Sequence, residues 1–207
     1  MTPVQKTRIV FFGDSITQAG VERGGYIDLI RQEVQQRSAG DKYELIGAGI
    51  GGNKVYDLYL RMEKDVLDKN PDMVVIYIGI NDVWHKTSSG TGTDLNKFEQ
   101  FYKAIIEKLK ARNIKVILCT PTVIGEKTDN SNPQDGDLNE YSKTIRRLAK
   151  EYALPLCDLR QFFAEALKAF NPANAERGIY TTDRVHLNPS GNMLVAKQLW
   201  EVIKQVQ

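Results

Sequence analysis

The chain has few of the residues that bind metals or cross-link a fold: two cysteines and two histidines in 207 residues. Both cysteines sit in apolar runs, Lys115-Val116-Ile117-Leu118-Cys119 and Leu154-Pro155-Leu156-Cys157, and read as free, buried strand positions rather than a disulfide framework. So few thiols and imidazoles, well apart, leave a structural zinc site almost nothing to use, and no metal is expected. Long hydrophobic runs are missing as well. None approaches the ~20 residues that span a bilayer, and Met1 to Thr7 lacks the apolar segment of a secretory signal. As given, the chain reads as soluble and cytoplasmic, or as secreted or periplasmic if a signal has been removed. An excess of one charge is absent too: the net charge is +2 and no Lys/Arg stripe is visible, which argues against nucleic acid or an anionic membrane as partner.

What is present is 42% apolar residues, enough for one sizeable core, with no repeat and no linker-like stretch. Residues 1–207 are therefore expected to form a single domain. Short, almost continuously apolar runs at Arg8–Phe12, Tyr43–Ile46, Met73–Ile78, Lys115–Thr120 and Leu154–Cys157 predict parallel strands covered on both faces. They alternate with helix candidates at Tyr26–Arg37, Val55–Asp68, Asp94–Arg112, Leu138–Tyr152, Leu159–Phe170 and Pro189–Val206. Phe98, Phe101, Ile105 and Leu109 mark one helical face, and Asn188-Pro189 is a start signal for the last helix. This alternation predicts an α/β sandwich around a mostly parallel sheet. Two polar stretches, Lys86–Thr93 and Ile124–Asp137, are expected as loops at the carboxyl edge of the sheet, where open α/β folds place ligands.

Residues with chemical potential collect at the ends of the predicted strands. The first runs into Gly13-Asp14-Ser15, a setting that projects a hydroxyl into a cleft, although taken alone Asp14 and Ser15 would more often be turn or capping residues. His186 follows Asp183 by three residues, close enough for the carboxylate to fix the imidazole tautomer while the other nitrogen takes a serine proton. His85 has no such acid and reads as surface or pocket wall. Gly79-Ile80-Asn81-Asp82 brings an amide to the same edge, and the turn from Gly47 to Asn53 can present a backbone N–H for an oxyanion.

Taken in order, these blocks resemble the SGNH hydrolases, or GDSL esterase/lipase family, over nearly the whole chain. The resemblance implies a flavodoxin-like three-layer α/β/α sandwich with a five-stranded parallel sheet. It makes Ser15 the nucleophile, Asp183 and His186 its partners, and Ser15, Gly52 and Asn81 the oxyanion hole. The reaction it implies is ester hydrolysis through an acyl-enzyme, with no cofactor and a small-molecule ester as partner. Ile16, Gly47 and Lys54 stand where many members have Leu, Asn and Thr, and the last two put the shape of the loop around Gly52 in question.

Gly47-x-Gly49-x-x-Gly52 also matches a dinucleotide fingerprint, and Lys54 is a near miss to a P-loop, but the following strand ends Tyr77-Ile78-Gly79 without the ribose-binding acid. A non-catalytic carbohydrate- or lipid-binding module on the same fold would lack part of the triad; nothing is missing here. Trp84 and Tyr180 are the candidate pocket aromatics, as a sugar platform, an acyl wall or simple packing. The polar loops, with Asn130 and Asn132, favour acetyl to butyryl esters, an acetylated sugar among them. A lipase, lysophospholipase or thioesterase with an apolar groove built from helix faces is the alternative.

Overall fold

In the computed structural model, residues 6–36 and 42–206 are described. Along the chain run β1 (Thr7–Gly13), α1 (Ser15–Gly20), α2 (Tyr26–Gln36), β2 (Tyr43–Gly49), α3 (Val55–Asp65), β3 (Met73–Tyr77) and α4 (Ile80–Ser88). Then come α5 (Leu95–Lys110), β4 (Lys115–Cys119), α6 (Asp135–Glu151), β5 (Leu156–Cys157), α7 (Leu159–Phe170) and α8 (Pro189–Gln205). The strands form one parallel sheet in the order β2-β1-β3-β4-β5, the flavodoxin-like arrangement.

Each of Ile9, Val10, Phe11 and Phe12 of β1 is fully buried, since helices cover both faces of the central strand. α3 packs against α5 and α5 against α6, while α2 packs with α8; the right-handed crossover rule for parallel β-α-β units puts the two groups on opposite faces of the sheet. The apolar stripe of α5 is Phe98, Tyr102, Ile105, Ile106 and Leu109. Phe101 lies beside the stripe, half-buried against the rings of Tyr56 and Tyr59. At the start of α8 the Asn188 side chain accepts the Gly191 N–H at 3.0 Å, and Pro189 opens the helix as expected. Cys119 and Cys157 are free, buried and in register on neighbouring strands.

Several expected boundaries move. β2 continues through Gly47 to Gly49, in register with Phe11 to Gly13, so the first half of the supposed glycine turn is strand. A Cβ on Gly49 would lie 2.1 Å from the Gln18 backbone nitrogen, so glycine there lets α1 lie directly on the strand. The helix expected over Val55–Asp68 ends at Asp65 and tightens into a 3-10 turn over Leu67–Lys69. Two short helices, α1 and α4, were not expected, and α4 takes in Lys86 to Ser88 from the supposed loop. Arg37, the expected end of the first helix candidate, lies outside the described residues.

Candidate active site

The strand order reverses beside β1, because the chain steps from β1 outward to β2 and then back across it to β3. Such a switch point opens a crevice at the carboxyl ends of the strands. Ser15 follows β1 and Asn81 follows β3, the two strands flanking that crevice. Asp14 caps α1, its carboxylate accepting the Ile16 N–H at 3.0 Å, and this fixes Ser15 as the first helical residue.

From the far end of the sequence, residues 178–188 return as a tight loop closed by a bridge between Thr181 and Leu187. His186 Nε2 stands 3.0 Å from Ser15 Oγ, and His186 Nδ1 stands 2.6 Å from Asp183 Oδ2. The other Asp183 oxygen accepts the backbone N–H groups of Val185 (3.1 Å) and His186 (2.8 Å). One carboxylate thus shapes the turn and orients the ring. Burial works to raise the Asp183 pKa, but the hydrogen bonds from the His186 ring and these two N–H groups hold it below the ordinary carboxylate value. The His186 and Asp183 side chains are 39% and 46% exposed, so the crevice is open to water and to a bulky substrate.

Three potential anion donors lie at the same sheet edge. The backbone N–H groups of Ser15 and Gly52 donate to no acceptor among the described residues. Gly52 has φ +76°, a conformation for which glycine is suited. Asn81 is buried and spends one amide hydrogen on the Asn53 carbonyl at 3.1 Å, leaving the other free. A Cβ built on Gly51 would lie 3.9 Å from Ser15 Cβ, so the loop runs alongside the serine.

The loop around Gly52, open to question on sequence because of Gly47 and Lys54, is firmly held. Arg61 of α3 donates to the carbonyls of Gly13 (2.8 Å) and Ala48 (2.9 Å) and to the Asn53 side chain (2.7 Å). The Lys54 ammonium turns back onto the Gly52 carbonyl at 3.3 Å. The buried Asp82 carboxylate accepts the Val55 N–H at 3.2 and 3.3 Å, tying the start of α3 to α4. That carboxylate occupies the helix terminus a nucleotide phosphate would need, which removes the dinucleotide and P-loop readings. Arg61 and Asp82 were not singled out from sequence: an arginine within a helix reads as a solvated face, and Asp82 as a cap. Burial raises the Asp82 pKa to about 6 and that of Asp14 to about 7, the latter also lifted by the charge of Asp82.

The two pocket aromatics part company. Trp84 lies edge-on to His186, ring centroids 6.0 Å apart, and 5.6 Å from His85. His85 in turn stands 3.9 Å from a Cβ built on Gly52, and burial and the Lys54 charge lower its pKa. Trp84 and His85 each lie one turn beyond Asn81, so α4 presents both close to the Asn81 side. The ring of Tyr180 instead packs edge-on against Phe163 of α7, centroids 5.5 Å apart. Asn132, expected to meet a leaving group, is buried and spends its amide on the Lys127 carbonyl (2.7 Å) and the Asp135 carboxylate (2.9 Å). Asn130 and Asn132 line a cavity of about 410 Å³ between α6 and α7 that none of Ser15, Asp183 and His186 borders. The segment 124–134 is thus a scaffold next to the loop of His186 rather than a wall of the crevice.

Comparison with known proteins agrees with this architecture. Residues 11–194 match the model of the GDSL-like lipase/acylhydrolase family. The chain is 29% identical to the acetylxylan esterase of Geobacillus stearothermophilus over 92% of its length and 90% of the relative's. It is 24% identical to the isoamyl acetate-hydrolyzing esterase 1 homolog of Rattus norvegicus, covering 95% and 81% of the two chains. Among solved structures, the acetyl xylan esterase AlAXEase superposes with a TM-score of 0.94 at 60% identity, over 95% of this chain and 99% of that one. A catalytic serine-to-alanine mutant of Axe2, an acetylxylan esterase from G. stearothermophilus, superposes with a TM-score of 0.85 at 28% identity, over 98% and 96%. The protein is a carboxylic ester hydrolase on an α/β scaffold. It belongs to the GDSL-like lipase/acylhydrolase family.

Proposed function

We propose that this enzyme removes acetyl groups from carbohydrate, with Ser15 as nucleophile, His186 as general base and acid, and Asp183 as the orienting acid. The observation that carries the mechanism is the continuous chain Ser15 Oγ–His186 Nε2 (3.0 Å) and His186 Nδ1–Asp183 Oδ2 (2.6 Å). His186 takes the Ser15 proton as Oγ attacks the ester carbonyl. The oxyanion forms against the N–H groups of Ser15 and Gly52 and the free amide hydrogen of Asn81. Collapse expels the alcohol, which leaves with the proton held on His186. Water, deprotonated by the same imidazole, then hydrolyses the acetyl-Ser15 ester and restores the hydroxyl.

The acyl half of the substrate is supported by what the relatives share. An acetylxylan esterase and isoamyl acetate-hydrolyzing esterases differ in the alcohol they release, yet each is named for an acetyl ester. The sugar half is supported by the 60% identity to an acetyl xylan esterase and by the exposure of the His186–Asp183 pair, which admits a saccharide approaching from solvent. Trp84 beside His186 supplies a flat apolar face of the kind on which sugar rings stack.

The test is kcat/KM for p-nitrophenyl esters of C2, C4, C8 and C12 acids, beside acetate release from acetylated xylo-oligosaccharides. The expected result is a maximum at C2 to C4 and release of acetate from the oligosaccharide. Each buried methylene of a long acyl chain is worth about 0.8 kcal/mol where an apolar groove exists. A value that climbs steadily to C12 therefore contradicts this reading in favour of a lipase or thioesterase.

A further inference from the structure

Three consecutive backbone N–H groups at the start of the loop that carries Asp183 and His186 end on a single carboxylate. Glu126, fully buried, accepts from Ile179 N (2.8 Å) through one oxygen, and from Tyr180 N (2.8 Å) and Thr181 N (2.5 Å) through the other. The second oxygen also accepts the Thr181 hydroxyl at 2.8 Å. A buried carboxylate is costly unless it is fully bonded, so a side chain of this kind marks a place where geometry is being fixed. The neighbouring residue adds to the grip: Gly125 N donates to the Arg184 carbonyl at 2.8 Å, between Asp183 and His186. Arg184 itself has φ +88°, an unfavourable conformation for a residue with a Cβ, which persists only where the surroundings hold it.

Thr181 pairs across the loop with Leu187, and Thr182 N donates to the His186 carbonyl at 2.9 Å. A displacement of residues 179–181 is therefore passed on to His186. We propose that Glu126 is a positioning residue of the esterase, holding the Asp183–His186 pair in register with Ser15 through the 179–187 loop without touching the substrate. This rests on the reading of Ser15, His186 and Asp183 as the triad. In sequence Glu126 lay inside a polar stretch taken for a substrate loop. Its carboxylate instead faces the opposite way, onto the backbone that carries the base.

Glu126→Gln keeps the volume and one acceptor but sets an amide N–H against a backbone N–H. A misplacement of reacting groups by about an ångström is enough to cost on the order of 10²-fold in rate. The variant is expected to lose about 10- to 100-fold in kcat on p-nitrophenyl acetate with KM within about two-fold, and to lose reactivity towards a fluorophosphonate in parallel. The low-field proton resonance of His186 Nδ1–H should broaden or shift. A role confined to stability would lower Tm and leave kcat per folded molecule and that resonance unchanged, and such a result overturns the proposal. If Glu126→Gln does not fold, Thr181→Val, which deletes one of the four bonds, carries the same test. Its expected kcat loss is about three- to ten-fold, and an unaltered kcat with an unaltered resonance rejects the idea. Loss of activity in Ser15→Ala alongside normal kcat in Glu126→Gln refutes the positioning role alone; full activity in Ser15→Ala refutes the triad.

Discussion

Ser15 carries an alcohol that gives up its proton reluctantly, and in the proposed mechanism the imidazole 3.0 Å away and the carboxylate behind that imidazole make it reactive. Asp183→Asn keeps the size of the acid but presents an amide to Nδ1 and favours the wrong tautomer. A loss on the order of 10⁴ in kcat is expected; near-normal turnover would reduce the machinery to a serine–histidine pair. Asn81→Ala removes a donor that acts mainly once the oxyanion has formed. It should lower kcat by about 10²–10³ and leave KM nearly unchanged, whereas a change confined to KM would make Asn81 a substrate-binding group. Since only neutral imidazole can accept the serine proton, kcat/KM should rise with pH to a plateau. Asp183, held below the ordinary carboxylate range, stays ionised throughout that rise. These side chains were legible in the sequence because each stands in a short, distinctive block, after a strand for Ser15 and Asn81 and just before the last helix for Asp183 and His186. Arg61 was not, since its three acceptors come from Gly13, Ala48 and Asn53, which only the fold brings together.

Among the secondary-structure elements, α1 and α4 do most to shape the crevice, and both escaped the sequence reading for physical reasons. α1 has six residues, too few for a periodic pattern, and α4 ends in Lys-Thr-Ser, which reads as loop. The strands and longer helices were legible because their apolar residues follow the periods of buried strands and half-buried helices. β2 was cut short because Gly47 and Gly49 have no side chain to mark the period, though the backbone ladder continues through them. The clamp between α3 and α4 makes a prediction of its own. Asp82 has its pKa raised by burial to about 6, above its ordinary value of 3.8, so the folded state holds the proton more tightly than the unfolded chain does. Below the unfolded value this group costs nothing; as pH rises from 3.8 to about 6 the unfolded carboxyl ionises while the buried one still holds its proton, so stability falls over that range and levels off above it. The full penalty is on the order of 3 kcal/mol. Asp82→Asn, which keeps an acceptor for Val55 N–H, should therefore gain in Tm relative to the parent as pH rises from about 4 to about 6, and hold that gain above. A difference between the two proteins that does not vary with pH would show that Asp82 is not the titrating group.

At the scale of the whole molecule, the flavodoxin-like order β2-β1-β3-β4-β5 brings residues from distant parts of the sequence to one edge. Ser15 and His186 are 171 positions apart and meet because the chain reverses beside β1 and its last loop returns over the same strand ends. A scaffold of this kind hosts many chemistries, so the reaction is argued from the site and not from the fold. No described helix is long and apolar enough to cross a membrane. The cavities bordering α2 and α8, and α6 and α7, contain none of Ser15, Asp183 and His186, and the His186–Asp183 pair faces open solvent. The central claim is that one serine, Ser15, carries the acyl group. Intact-mass analysis after reaction with a fluorophosphonate tests it most directly, comparing the parent protein with Ser15→Ala. One adduct per chain on the parent, mapping to Ser15, and none on a folded Ser15→Ala variant is the predicted result; an adduct of equal yield on the variant, at another serine, would contradict it.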